Sequence, residues 1–275
     1  MYSVFAAFSF CAGACVASFL NVVIWRVPRG ESIVSPPSHC PSCGAPVRWW
    51  RNIPVLSWLA LRGRCADCKA AISPRYVIVE TLGACLFLAA FLNAVPPGAP
   101  VSPWTLLELL VVWTWLSLMI AGSFIDMDHL LLPDFVTAGG MALGVLNALA
   151  VSAGSASFGP ALASLAGLAC GFGLMWLVRF LGSKAFGREA MGSGDVWLTG
   201  AVGAISGPAG AVAVIILSSF AGSLYGLAMM IAGKTRFGRY AEIPYGPFIC
   251  LAHAVWLFCG DGLWRWYAGL LGFEV

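Results

Sequence analysis

Four cysteines in two closely spaced pairs form the first pattern in the sequence that could do chemistry. Cys40 and Cys43 make one CxxC pair, and Cys65 and Cys68 make a second pair in the same polar stretch. Two such pairs can place four thiolates around a tetrahedral Zn²⁺ ion, whereas a single CxxC pair would be a weak signal. A Cys₄ site has no open coordination position, so the spacing predicts a structural zinc ion.

Two other interpretations of the cysteine pairs remain open, namely disulfides and a redox-active pair. The polar stretch that carries them is expected on the cytoplasmic side of a membrane, where reducing conditions disfavour permanent disulfides. His39 adjoins Cys40 and is an alternative ligand, but we interpret it as a bystander.

Two aspartates at the ends of apolar segments form the second pattern. Asp126 lies in the sequence IDMDH, and Asp195 lies in the sequence GSGD. Two carboxylates held close together share a proton, so one acts as a base toward water while the other, protonated, polarises a carbonyl group. Gly192 and Gly194 leave room for the backbone of an extended substrate. The pattern therefore predicts peptide hydrolysis by an aspartic-protease pair.

Three other interpretations of these aspartates are open. Asp195 alone could cap the N-terminus of a helix, but the short apolar segment after it favours a functional site. A transporter would place its carboxylates near the midplane of the bilayer, whereas Asp126 and Asp195 are expected at a boundary. A membrane methyltransferase without peptidase activity is the third alternative.

Glu80, near the start of another apolar segment, is expected to pair with Arg75.

The rest of the chain consists of apolar segments that must position these groups. Of its 275 residues, 60% are hydrophobic and 10% are charged, against roughly 25% charged in a soluble domain. Most of the chain is therefore expected to face lipid. Eight segments are candidate membrane spans: 3–24, 77–95, 104–124, 134–152, 160–181, 195–206, 209–232 and 246–264. The sixth is short, since its residues span only about 18 Å of a hydrocarbon core of about 30 Å.

The distribution of basic residues supports eight crossings. Every Lys and Arg except Arg265 lies in four linkers or the adjoining helix ends, and eight crossings put these linkers on one side. The four linkers are 25–76, 125–133, 182–194 and 233–245. The positive-inside rule assigns that side to the cytoplasm and both termini to the outside. Asp126 and Asp195 are then expected at one depth, at the cytoplasmic boundary.

The sequence thus predicts an all-α polytopic membrane protein with about eight transmembrane helices. Residues 1–24 form the first span, and residues 25–76 form a cytoplasmic Cys₄ zinc-binding domain that is too small to rely on a hydrophobic core alone. Residues 77–275 form a membrane peptidase core with seven spans.

Several motifs, spread over nearly the whole chain, together resemble the type IV prepilin peptidases, also called prepilin leader peptidase/N-methyltransferases. The matching segments are 18–28 (SFLNVVIWRVP), the cysteine quartet with 52–54 (NIP) and 57–58 (SW), 72–73 with 76–80, 125–129 with 132–134, 191–195 (MGSGD) and 243–248 (IPYGPF). One position departs from the family pattern, because the Lys usually found two residues after the second catalytic Asp is here Trp197.

The resemblance implies that Asp126 and Asp195 are the catalytic pair of an enzyme in the bacterial cytoplasmic membrane, with its active site facing the cytoplasm. The substrates it implies are type IV prepilins or type II secretion pseudopilins, whose short basic leader is removed after a glycine. It also implies N-methylation of the new N-terminus with S-adenosylmethionine as methyl donor, although no pocket for that donor is evident in the sequence. The expected partners are these substrates and the lipid bilayer, and no nucleic acid.

Overall fold

The computed structural model describes residues 2–99, 101–233, 243–270 and 272. Within these residues it has no β-strand, and seven helices are long and apolar enough to cross a membrane. The helices are α1 (Tyr2–Arg26), α2 (Leu56–Ala60, short), α3 (Arg75–Ala94), α4 (Pro103–His129), α5 (Asp134–Ser155), α6 (Gly159–Phe186), α7 (Ser193–Ile231) and α8 (Gly246–Leu270). The predicted all-α membrane fold is confirmed. Most of the basic linker 233–245 lies outside the described residues.

The chain divides into two compact units, Met1–Ala121 and Gly122–Val275, and the boundary lies within α4. The first unit contains α1, α2, α3 and most of α4, together with the polar stretch that carries the cysteine pairs. The second unit contains the last turns of α4 and helices α5 to α8. Both aspartates of the predicted dyad belong to this second unit.

In the first unit, α1 and α3 pack side by side in opposite directions. A Cβ atom on Gly13 would collide with the carbonyl oxygen of Gly83, so the two backbones are nearly in contact. Near the other end of the pair, the Asn21 side-chain amide donates a hydrogen bond to the carbonyl oxygen of Tyr76 at 3.3 Å. Small residues allow this close approach, which drives helix association where lipid removes the hydrophobic contribution.

The structure corrects the expectation for Glu80. Its side chain is buried in α3, and its Oε2 accepts a hydrogen bond from the backbone N–H of Val55 at 2.7 Å, so it does not pair with Arg75. Val55 has a φ of 62°, in the left-handed region that a β-branched residue rarely adopts. The buried carboxylate thus stabilises a strained turn just before α2.

Helix α7 is broken at Gly207, which has φ 70° and ψ −176°. Glycine is essentially the only residue that can adopt this conformation, because glycine has no Cβ atom. Pro208 begins the second arm, where a helix start needs no backbone N–H. The break lies where the sequence predicts the end of the sixth span.

The two arms of α7 run in opposite directions along α6. A Cβ atom on Gly171 would touch Thr199 in the first arm and Ala211 in the second arm. Gly167 lies against Gly207, where the arms join. Positions on both sides of the break contact the same residue, so the chain reverses direction at Gly207. The sixth and seventh predicted spans are therefore the two arms of one element, which is why seven long helices are found where eight were expected.

Replacing Gly207 with alanine is expected to destabilise the protein by about 1–3 kcal/mol, because a Cβ atom makes this backbone conformation costly. The added methyl group itself has space, since its nearest neighbour is the Ala163 carbonyl oxygen at 3.9 Å. Denaturation in detergent micelles measures the change. Gly173→Ala in α6, where a Cβ atom would meet open space, is the control and should be neutral or slightly stabilising. Equal stability of the two variants would contradict the strained turn.

Candidate active site and metal centre

Asp126 lies in the last turn of α4 and is buried, with 6% of its surface exposed. Its Oδ2 accepts a hydrogen bond of 2.9 Å from the backbone N–H of Gly246, the first residue of α8. A Cβ atom at Gly246 would lie 2.8 Å from the same oxygen, so only glycine permits this approach. The position of the carboxylate therefore depends on the start of another helix.

Tyr245, the residue before Gly246, is held by the second arm of α7. Its hydroxyl group lies 2.8 Å from the Ser218 hydroxyl and 3.1 Å from that of Ser219. These hydrogen bonds fix the backbone whose next N–H group binds Asp126. Tyr245 is thus a positioning residue for the first aspartate.

Asp195 is the third residue of α7 and is buried, with 8% of its surface exposed. Its side chain makes no hydrogen bond with any described residue, so it does not act as the helix cap considered from the sequence. Its carboxylate lies close enough to Asp126 to experience that residue's charge. The structure therefore brings the two sequence-predicted carboxylates into one site within the second unit.

Leu132 links the segments that carry the two aspartates. Its side chain would lie 2.9 Å from a Cβ atom at Gly194 and 3.2 Å from one at Gly246. One leucine thus packs against the start of α7 and the start of α8, and both glycines are needed for it to fit.

The loop in front of Asp195 is tied to α6 by Arg179. The Arg179 Nε donates a hydrogen bond to the Met191 carbonyl oxygen at 3.1 Å, and its Nη2 lies 3.0 Å from Glu189 Oε1. Two residues after Asp195, Trp197 lies edge-on to Phe172 of α6, with ring centroids 4.8 Å apart. The half-exposed Trp197 ring therefore occupies the position at which a lysine was expected.

The four cysteines predicted to bind zinc come together in the first unit. Their sulfur atoms all lie within 4.8 Å of one another, and the Sγ atoms of Cys40 and Cys68 are 3.8 Å apart. A tetrahedron with Zn–S bonds of about 2.3 Å has edges of about 3.8 Å, so the cluster fits a metal ion of this kind. His39 is not part of the cluster, and its Nδ1 lies 3.1 Å from the Pro37 carbonyl oxygen instead.

The two cysteine pairs lie on two loops with the same backbone hydrogen bonds. In the first loop, the N–H of Cys40 donates to the Ala45 carbonyl oxygen at 2.9 Å. In the second, the N–H of Cys65 donates to the Ala70 carbonyl oxygen at 2.8 Å. This shared geometry brings two thiols from each loop to the common centre.

The backbone also favours the thiolate form that binds metals. Hydrogen bonds from the backbone N–H groups of Ser42 and Cys43 lower the pKa of the half-buried Cys40 thiol to about 6. At Cys43 the backbone hydrogen bond of Ala45 is outweighed by hydrogen bonds with the neighbouring thiols and by burial, which raise its pKa to about 12. A thiol with the pKa of Cys40 is largely ionised at neutral pH, which is the state that a metal ion requires.

Comparison with known proteins agrees with this division into two parts. The sequence model of the Bacterial Peptidase A24 N-terminal domain matches residues 11–94, and that of the Type IV leader peptidase family matches residues 113–227. A prepilin leader peptidase/N-methyltransferase of Myxococcus xanthus is 42% identical over 97% of this chain and 76% of its own length. The chain belongs to the type IV leader peptidase family.

Other members of the family are similar over most of their length. The prepilin leader peptidase/N-methyltransferase of Aeromonas hydrophila is 35% identical over 92% of this chain and 90% of its own. An Escherichia coli protein named type 4 prepilin-like proteins leader peptide-processing enzyme is 36% identical over 87% of this chain and 88% of its own. No solved structure matches the chain. The predicted enzyme class, a peptidase that also carries methyltransferase activity, is confirmed at the level of the family.

The contacts that position the two aspartates in this member of the family could not be predicted from the sequence. The segment 243–248 matches a motif of the family, but nothing in the sequence indicates that the Gly246 N–H reaches Asp126. The bonds from Ser218 and Ser219 to Tyr245 also join residues far apart in the chain. Only the motif itself signalled that this turn matters.

Replacing Gly246 with alanine is expected to lower peptidase activity at least tenfold, because the new methyl group would push Asp126 Oδ2 out of place. Gly262→Ala in the same helix is the matched control, since a Cβ atom there would meet nothing within 4 Å. The rate of peptide cleavage by the purified variants measures the effect. Equal rates for both variants would show that Asp126 does not need this contact.

Proposed function

We propose that this protein removes the basic leader of type IV prepilins or pseudopilins with Asp126 and Asp195, and then N-methylates the new N-terminus. The proposal rests on one observation. Two buried carboxylates, one on α4 and one on α7, lie near each other in the unit that matches the peptidase family. The names of relatives that are 34–42% identical support the substrate class.

The geometry suggests distinct roles for the two carboxylates. The N–H of Gly246 stabilises negative charge on Asp126, so Asp126 is the base that takes a proton from water. Asp195, buried without a hydrogen bond in the described structure, is the acid whose proton polarises the scissile carbonyl oxygen. The water oxygen bonds to the carbonyl carbon, then the C–N bond breaks and the departing nitrogen takes up a proton.

The site is proposed to face the cytoplasm. The basic linkers support this orientation, because the positive-inside rule favours the cytoplasmic side for the C-terminal end of α4 and the N-terminal end of α7. A substrate with a basic leader and an apolar helix would lie in the membrane with its cleavage point at that boundary. Two carboxylates there also favour the positive leader over a neutral one.

We further propose that the cysteine cluster holds a structural zinc ion. The sulfur positions fit tetrahedral coordination, and the surrounding polar stretch has few buried side chains of its own. Metal ligation contributes folding free energy where a hydrophobic core is lacking. All four thiolates would be ligands, so the ion has a role in stability and none in peptide hydrolysis.

The methylation reaction requires a donor. When bound, S-adenosylmethionine would supply an electrophilic methyl group for the new α-amine. The protein must bind the donor, exclude competing water and leave the amine free of its proton.

Asp126→Asn and Asp195→Asn are each expected to lower leader cleavage at least a hundredfold, because neither amide can exchange a proton with water or substrate. Asp261→Asn, an exposed carboxylate on α8, is the control and should cleave at the normal rate. Membranes containing each variant are incubated with a prepilin, and the trimmed product is followed by mass spectrometry. Normal trimming by either active-site variant would refute the dyad.

Cys43→Ser and Cys68→Ser are each expected to lower the zinc content from about one ion per chain to near zero, because each removes one of four ligands. Cys85→Ser, an exposed cysteine on α3 outside the cluster, should keep its metal. Elemental analysis of the purified protein gives the metal content. Unchanged zinc in the first two variants would rule out the proposed site.

A further inference from the structure

A cavity of about 380 Å³ lies beside the C-terminal half of α1, in the first unit. One wall is a single face of α1, and the other wall is formed by residues 33, 34, 36–38, 52 and 54 of the polar stretch. Along α1 the lining runs from Cys15 to Arg26, a distance of about 16 Å at the helical rise per residue. The cavity therefore follows the axis of a candidate membrane span.

One end of this cavity lies at the membrane boundary. Helix α1 has 25 residues and is about 37 Å long, which exceeds a hydrocarbon core of about 30 Å. Arg26 is its last residue and the polar stretch follows, so the guanidinium group lies at the level of the lipid headgroups. The lining toward Cys15 is then at the level of the acyl chains.

The boundary end of the cavity has a positive charge and no negative one. Arg26 is the only charged side chain in the lining and is buried, with 7% of its surface exposed. Its Nη1 donates to the Ser32 carbonyl oxygen at 2.9 Å, and its Nη2 donates to the Pro36 carbonyl oxygen at 2.7 Å. Both partners are neutral, and no carboxylate of the described residues pairs with Arg26. A buried guanidinium group without a counter-ion favours an anionic ligand.

The lining also has hydrogen-bond donors to spare. Three of the five guanidinium N–H groups of Arg26 have no partner in the part of the chain that the structure describes. Three further side chains of the lining make no hydrogen bond to any described residue: Ser18, Ser38 and Asn52. Serines in helices often donate to the carbonyl oxygen four residues earlier, as Ser9 does to Phe5 at 2.8 Å, but Ser18 does not. These donors suit a ligand with several acceptor oxygens, such as a phosphate ester.

The deeper part of the lining is apolar. The half-exposed ring of Phe19 lies there on α1, together with Cys15 and Val22. Ile33 and Val34, which are both exposed, line the opposite wall. A small soluble anion would leave this surface uncovered, whereas an acyl chain would bury it favourably. The cavity thus combines an anion site at the headgroup level with an apolar groove below it.

We propose that this cavity binds an anionic phospholipid, with the phosphate on Arg26 and an acyl chain along Phe19 and Cys15. Guanidinium groups bind phosphate through two parallel hydrogen bonds, and basic pockets beside transmembrane helices hold anionic headgroups. The bound lipid joins α1 to residues 33–38 and so attaches the polar stretch to the membrane. The inference does not depend on the proposed function, because neither Asp126 nor Asp195 lines the cavity.

The first test compares ligands by native mass spectrometry of the full-length protein in detergent, which resolves the binding of single lipids. Phosphatidylglycerol should bind about tenfold or more tightly than phosphatidylcholine, whose choline cation cancels the phosphate charge. Glycerophosphoglycerol, the same headgroup without acyl chains, and inorganic phosphate should bind much more weakly than either lipid, because they cover no apolar surface. A soluble anion that bound as tightly as phosphatidylglycerol would make this a site for free phosphate and would overturn the proposal.

The second test removes the charge. Arg26→Gln should weaken phosphatidylglycerol binding about tenfold or more and bring it close to that of phosphatidylcholine, because the charge-assisted pair is lost. Arg29→Gln is the matched control and should keep the preference, since Arg29 is exposed, lies over the Trp25 ring and does not line the cavity. Equal losses in the two variants would indicate general surface charge. An unchanged ratio of the two lipid affinities in Arg26→Gln would mean that Arg26 only holds the loop. Either result would overturn the proposal.

A third test addresses the apolar groove and applies even if Arg26→Gln fails to fold. Phe19→Ala removes a half-exposed ring from the lining and should weaken both phospholipids by a similar factor, about threefold or more. Phe8→Ala removes an exposed ring from the same helix outside the cavity and should bind both lipids as the wild type does. Unchanged lipid binding in Phe19→Ala would place the lipid elsewhere and refute the site.

Discussion

A carboxylate at membrane depth must lie where water or a hydrogen-bond donor can reach it, and the second unit is organised around this constraint. Asp126 and Asp195 each lie within one turn of a helix end, on α4 and α7. Helices must satisfy their own backbone hydrogen bonds in lipid, so free N–H groups are found only at such ends. The first N–H of α8, from Gly246, provides one of them to Asp126. Both candidate catalytic groups thus lie where helices begin or end.

The reversal of α7 makes this arrangement possible. The first arm is only about 20 Å long, and Gly207 then turns the chain back along α6. The returning arm brings Ser218 within 2.8 Å of Tyr245, whose neighbour Gly246 binds Asp126. At the turn, Ser206 Oγ lies 2.7 Å from His253 Nε2, which joins the same arm to α8. A strained glycine that is remote in sequence from Asp126 therefore helps to position that aspartate.

The sequence predicts the parts of this molecule that depend on local pattern. Hydropathy locates the long helices to within six residues at each end, with α7 predicted as two spans, and the CxxC spacing identifies four thiols that do meet. The sequence cannot predict contacts between distant segments. Examples are the hydrogen bond from the Gly246 N–H to Asp126 and the packing of Leu132 against Gly194. The error at Glu80 has the same origin, because its partner Val55 is distant in sequence whereas Arg75 is near. The break at Gly207 was visible as Gly-Pro, but its φ of 70° depends on packing against α6.

The two units carry opposite charge at their buried sites, and this difference separates their chemistry. The second unit buries two carboxylates, which suit a substrate with a positive leader. The first buries the guanidinium group of Arg26 among carbonyl oxygens, which suits an anion. A basic peptide would therefore be attracted to the buried carboxylates and repelled by the buried guanidinium group.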